Sequence, residues 1–479
     1  MPNRHPRTVL RRRIVRVLVA AGTLVVLAAG CGAPTGTSSS ATSSAGSSAS
    51  GSVAVFTPAD SLVRGSDAPL GTWSLLRAEL KKSLVSVGFD SDSITTTTSR
   101  TSEAQAKAVR DFVVKAAARS TSSGAATSTT LVVAPVPEDA TDDDSYGDLL
   151  TRTAADEDAD TPALTNALSL ARRSGMHVVL VSNALDGFSP DLLVQPSRAR
   201  QIGRTQALKL VDKIELGKAT ASDPRIIEVL IPATDDSTDA EAFAGVWDVL
   251  GPYFRKGVAV STSGTLSAAT TEDDWGSVVY DAGSSTSSMT KNSAKELASR
   301  LDDGSGSRTR IDGVIAMTDA AASGVVDELT TLGYTGSSAD VNPSISISGI
   351  VEGITGRHDV VRSPVPEPTG GDTTGNATDS RWPIVTSFGA STGMLPQIVD
   401  GRLWMTSLED IATTTTQTAE ACARLDAGKT ANGLKSITMT TVKGRRIAVL
   451  RPKLLTVSAS NLKKTLIDPG YVSLADAGL

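Results

Sequence analysis

Short runs of β-branched and aliphatic residues, each followed by a longer helical pattern, recur through most of this chain. The runs fall at 53–56, 131–134, 178–181, 226–231, 277–280 and 311–316. Helical spacing fills the intervals, near 70–87, 102–119, 162–174, 197–216, 239–254, 290–302 and 320–332. A strand that is apolar along its whole length is buried on both faces. Such strands belong to parallel sheets whose crossover helices cover both sides. The fold class is therefore α/β. The period is about forty residues, but the segments are too unlike one another for a solenoid.

The first 30 residues form a separate unit. Arg4, Arg7, Arg11, Arg12 and Arg13 precede an apolar run that ends Leu27-Ala28-Ala29-Gly30-Cys31. A basic stretch followed by a short apolar one is a secretory signal, and polar linker follows it instead of a stop-transfer pattern. The end of the run resembles the lipobox of bacterial lipoproteins, which makes Cys31 the lipidation residue and places the protein on the outer face of the cell membrane. Residues 31–52, nearly all Ser, Thr, Ala and Gly after Cys31, read as a flexible tether. With Cys31 acylated, Cys422 has no partner for a disulfide. The mature chain holds 40 basic and 52 acidic residues, a balance that disfavours nucleic acid. Only His177 and His358 remain after processing, which argues against a histidine-built metal site. No cofactor motif is present.

Two stretches break the rhythm, an acidic one at 138–160 and a Pro/Gly-rich insertion at 355–382, and both read as surface loops. Asp142-Asp143-Asp144-Ser145-Tyr146-Gly147 begins like a calcium loop, but Thr153 stands where the bidentate glutamate is needed. Gly389-Ala390-Ser391-Thr392-Gly393 fits the nucleophile turn G-x-S-x-G. A hydrolase of that fold takes its base from a histidine after the serine, and none follows His358. Asp319, where a strand turns into a helix, suits either a helix cap or a ligand contact. Asn183 carries the same two readings. Trp73 suits either core packing or stacking on a sugar ring.

Several segments together resemble the bacterial periplasmic binding proteins for xylose and multiple monosaccharides, receptors of ABC importers. They are Leu454-Leu455-Thr456-Val457-Ser458-Ala459-Ser460-Asn461-Leu462 with Ile467-Asp468-Pro469-Gly470-Tyr471-Val472, Ile398-Val399-Asp400-Gly401-Arg402-Leu403-Trp404-Met405-Thr406, and the strand ending Met317-Thr318-Asp319. The resemblance implies the type I fold, two Rossmann-like lobes with parallel sheets joined by a three-crossover hinge. The crossovers would fall near 182–185, 406–410 and 429–436. The lobes would then be 53–183 with 409–430, and 184–406 with 436–479.

It also implies a monomeric, non-catalytic receptor for a small polar ligand, a sugar or glycoside, that hands it to ABC permease subunits. The ligand positions implied by the resemblance are Trp73, Asn183, Asp319 and Glu409. They depart from the family pattern. Asn183-Ala184 stands for Asp-Arg, Gly389 for an aspartate, Glu409 for a lysine, Thr72 for an arginine, and Thr318 for the Asn of an Asn-Asp pair. Two further readings stand beside the receptor: a retuned or ligand-dead surface scaffold of the same fold, and a secreted hydrolase.

Overall fold

The computed structural model describes residues 49–60, 70–123, 128–136, 162–283, 285–302, 304, 309–339, 381–475 and 477. Cys31, the tether up to residue 48, the acidic stretch, His358 and the 355–382 insertion up to residue 380 lie outside the described residues.

Strand β1 (Ser52–Pro58) shows how the sheets are covered. Val53 and Val55 enter one buried cluster with Leu76, Leu80 and Cys422, while Ala54 and Phe56 enter another with Val109, Leu164 and Leu168. Successive side chains of a strand point to opposite faces, so an apolar run needs helices above and below.

The first sheet adds β2 (Ile94–Ser99), β3 (Thr129–Val133), β4 (His177–Val181), β5 (Leu192–Val194), β12 (Ile437–Val442) and β13 (Arg445–Leu450). Its order is β12-β13-β5-β4-β3-β1-β2, parallel except for the hairpin β12–β13. Helix α1 (Trp73–Ser86) and the helix Ile411–Asp426 cover one face. Helices α2 (Ser102–Ser123) and α3 (Pro162–Arg173) cover the other.

The second sheet holds β6 (Arg225–Pro232), β7 (Ala259–Val260), β8 (Val279–Tyr280), β9 (Gly313–Ala316), β10 (Ile384–Thr386), β11 (Met405–Glu409) and β14 (Leu454–Ser458). Its order is β14-β11-β10-β9-β6-β7, with β8 paired to the far end of β6. Only β14 runs antiparallel to its neighbour. Helices α4 (Ala199–Lys213) and α5 (Asp236–Arg255) pack on one face; α6 (Thr286–Leu301) and α7 (Asp319–Thr331) pack on the other. Helices α4 and α5 touch backbone to backbone. A Cβ at Gly203 would lie 2.2 Å from the Ala242 carbonyl oxygen, and one at Gly245 2.0 Å from that of Arg200.

Two lobes of parallel α/β sheet, as the sequence implies, are thus joined by chain crossings at 195–198, at 410 and at 451–453. The first and third crossings differ from the sequence reading of 182–185 and 429–436. Strand β5 keeps the chain in the first sheet until Val194, because Leu192 and Leu193 pair with Val179 and Leu180. The hairpin 437–450 joins the first sheet through β13, which pairs with β5, so these residues belong to the first lobe and not to the second.

Candidate functional site

In open α/β sheets, ligands bind outside the carboxyl ends of the strands. In the second lobe these ends converge on Asp319. Thr318, not Asp319, caps α7, with its hydroxyl accepting from the Ala321 amide at 3.2 Å. That leaves the Asp319 carboxylate free to reach across the sheet. Oδ1 accepts from the Ser387 hydroxyl at 2.5 Å, just past β10, and from the Thr406 hydroxyl at 2.9 Å on β11. Oδ2 accepts from the Ser391 amide at 2.6 Å. Burial pushes the Asp319 carboxyl above its ordinary range, and these donors oppose the rise.

The G-x-S-x-G segment is explained by the same contact. Gly389 has φ 136° and Ala390 φ 53°, a left-handed pair that turns the chain back after β10. A Cβ on Gly389 would stand 3.2 Å from Asp319 Oδ2, so glycine serves both the angle and the approach. The turn presents the Ser391 amide to Asp319. His177 lies at the amino end of β4 in the other sheet, its Nδ1 3.7 Å from Asp191, and is remote from Ser391. Among the described residues, no histidine is placed to activate that serine.

The first lobe ends its strands differently. Ser182 follows β4 with φ 74°, strained for a residue with a Cβ, and its amide donates to the Val194 carbonyl at 2.8 Å. The Ser182 hydroxyl is buried with no hydrogen-bond partner. Asn183 comes next and is half-buried. Arg77 donates to the Thr57 hydroxyl at 2.8 Å and to Asp60 at 3.1 Å, at the end of β1. Trp73 is 0% exposed and packs in the first lobe's core with Leu76, Leu80 and Val132, so neither ring face is open to the cleft.

Glu409, the last residue of β11, belongs to the hinge. Its Oε1 accepts from the Ser197 amide at 3.0 Å, which ties the first crossing to the second. Its Oε2 is buried without a partner, and desolvation pushes the carboxyl up to about 7. Gln195 Oε1 accepts from Arg451 at 3.1 and 2.7 Å, which ties the first crossing to the third. The structure therefore groups Asp319 and Glu409 at one lobe's strand ends, and places Trp73 and Asn183 at the other's. Sequence reading missed Ser387, Thr406 and Ser197. A buried acid at a strand end was itself the signal that hydroxyl and amide donors would surround it.

No family model matches the chain, and no curated protein does. Solved structures match along nearly all of it. An ABC transporter solute-binding protein from Clostridium phytofermentans, with bound β-D-glucose, has a TM-score of 0.51 at 19% identity, covering 89% of this chain and 99% of that one. A carbohydrate transporter solute-binding protein from Chloroflexus aurantiacus, in complex with D-glucose, has a TM-score of 0.50 at 17% identity, covering 88% and 97%. A sugar ABC transporter protein from Actinomyces odontolyticus also has a TM-score of 0.50, at 15% identity, covering 87% and 98%. The chain therefore has the type I periplasmic binding fold, the architecture in which these sugar-binding proteins of ABC transporters are built.

Proposed function

We propose that the protein is a lipid-anchored extracytoplasmic receptor for a small polar solute, a sugar or glycoside, and that it serves an ABC permease. The two lobes with crossings at 195–198, 410 and 451–453 carry this reading, because such a hinge lets two sets of strand ends close on one solute. The signal ending at Cys31 supports the anchor. The contact between Ser391 and Asp319 supports binding over hydrolysis, since the turn serves a buried carboxylate.

One observation favours the retuned or ligand-dead scaffold as the second reading. Asp319 and Trp73 are both satisfied inside their own lobes. A hydrogen bond to a charged group contributes roughly 1.5–3 kcal/mol. A monosaccharide that finds Asp319 already occupied therefore loses about tenfold or more in affinity. Calorimetry on the purified protein with monosaccharides, oligosaccharides and glycosides tests both readings. The expected result is binding of a larger glycoside with weak or no uptake of free xylose or glucose. Submicromolar glucose binding that is lost in Asp319→Ala would contradict the retuned site, and silence across all three classes would leave the scaffold.

A further inference from the structure

Leu70 lies between the carboxyl end of β1 and the start of α1, where a strand of this fold faces the cleft. It is 6% exposed, and its buried cluster is otherwise made entirely of second-lobe residues, among them Ala282, Ala316, Ala390, Met394 and Leu395. Trp73, three residues on, is in the first lobe's cluster with Val53 and Val55. The chain thus passes from one lobe's interior to the other's between these two positions. The Leu70 carbonyl accepts from the Thr72 amide at 3.2 Å, and the Thr72 hydroxyl caps α1 through the Leu75 amide at 3.2 Å, which joins Leu70 to the first lobe's helix.

We infer that Leu70 is a latch across the cleft, a first-lobe side chain seated in the second lobe that keeps the lobes together without a solute. Opening the hinge exposes Leu70 and its seat to water. Burial of a leucine side chain biases the closed form by roughly ten- to a hundredfold. A solute has to displace or outcompete this contact, so the latch sets a threshold for binding. The latch rests on the two-lobed fold alone. Only its consequence for solute uptake rests on the receptor reading.

The test places spin labels on the full chain, with Cys31→Ser so that position 31 takes no label, through Lys82→Cys in α1 and Lys291→Cys in α6, both exposed and in different lobes. Native Cys422 is fully buried with its thiol pushed up to about 12, so it does not compete for label. Without any ligand, Leu70→Ser is expected to move the distance distribution to a longer or second population, with open-to-closed ratio raised at least tenfold. Leu70→Met should keep the parent distribution. If Leu70→Ser does not fold, Leu70→Ala gives the same readout with a smaller shift. An unchanged single distribution in the folded serine or alanine variant overturns the latch. Because no ligand is used, that failure is distinct from failure of the receptor reading, which calorimetry decides.

Discussion

The two lobes share one βα rhythm but differ in where they put charge. Among the described residues, every buried charged side chain belongs to the second lobe: Glu228, Asp239, Arg300, Asp319 and Glu409. The first lobe keeps its ion pairs at or near the surface, as in Lys107–Asp111 and Arg77–Asp60. The sheet edges account for part of this. The first sheet continues past β5 into the hairpin β12–β13. The second has a broken edge, where β7 pairs only with Arg225 and Ile226, and β8 only with Ile231 and Pro232. Between them Arg300 donates to the Val229 carbonyl at 2.6 Å and the Val278 carbonyl at 3.1 Å. Glu228, 3.5 Å from Arg300, accepts from the Ser261 hydroxyl at 2.8 Å and the Ser263 amide at 3.1 Å. One lobe finishes its edge with backbone pairing, the other with buried side chains. The second solution is the more sensitive to mutation.

The largest test of that contrast is Arg300→Met. Leaving Glu228 buried without its partner is expected to cost about 3–5 kcal/mol in denaturant unfolding. The surface counterpart Lys107→Ala should leave the unfolding midpoint nearly unchanged. Comparable losses would erase the distinction between the lobes.

Glu409→Gln sharpens it through pH. The folded carboxyl, pushed up to about 7, holds its proton where the unfolded one has lost it. Its contribution is full below the unfolded value near 4.5 and falls as pH rises toward 7, then stays flat. The fall amounts to about 3 kcal/mol by the usual conversion. Urea titrations from pH 4.5 to 8 should show it in the parent and not in Glu409→Gln. In the first lobe, Asp191 has the opposite sign. Despite the burial that opposes it, the neighbouring His177, the bond from the Val178 amide and the charge of Arg172 hold it below the usual carboxylate range, so its contribution is lost only as pH falls. Asp191→Asn should therefore leave the slope between pH 5 and 8 unaltered, the smallest effect of the set.

The buried strands and their helices were legible because their apolar runs leave one placement. Strand β2 was not. Thr95 to Thr98 are exposed, so an edge strand of four threonines carries no apolar signal. Strand β5 has three residues, and β12 sets three threonines among Ile437, Met439 and Val442, which reads as surface. These unmarked strands displaced two of the three crossings from their expected places. At the site, the strand-end position of Asp319 was readable, but its partners at 387, 391 and 406 are set by tertiary pairing. The Glu409 environment depends on a residue 212 positions away. Trp73 near a helix start is the same string of letters whether its ring faces a ligand or the core.

The crossings also fix an order of assembly. A chain synthesised amino end first presents β1 to β5 long before the helix Ile411–Asp426 that covers one face of their sheet, and before β13, which pairs with β5. Until residue 450 has emerged, the earliest strands hold an open edge and a bare apolar face, the condition under which nascent sheets associate wrongly. The second lobe is built from 199–409, β14 and the buried Leu462, Leu466 and Val472 that follow it. The half of the molecule made first thus gains its covering helix and last strands only near the end of the chain, and an internal deletion within 411–450 that keeps β14 leaves the first lobe, not the second, as the unfinished part.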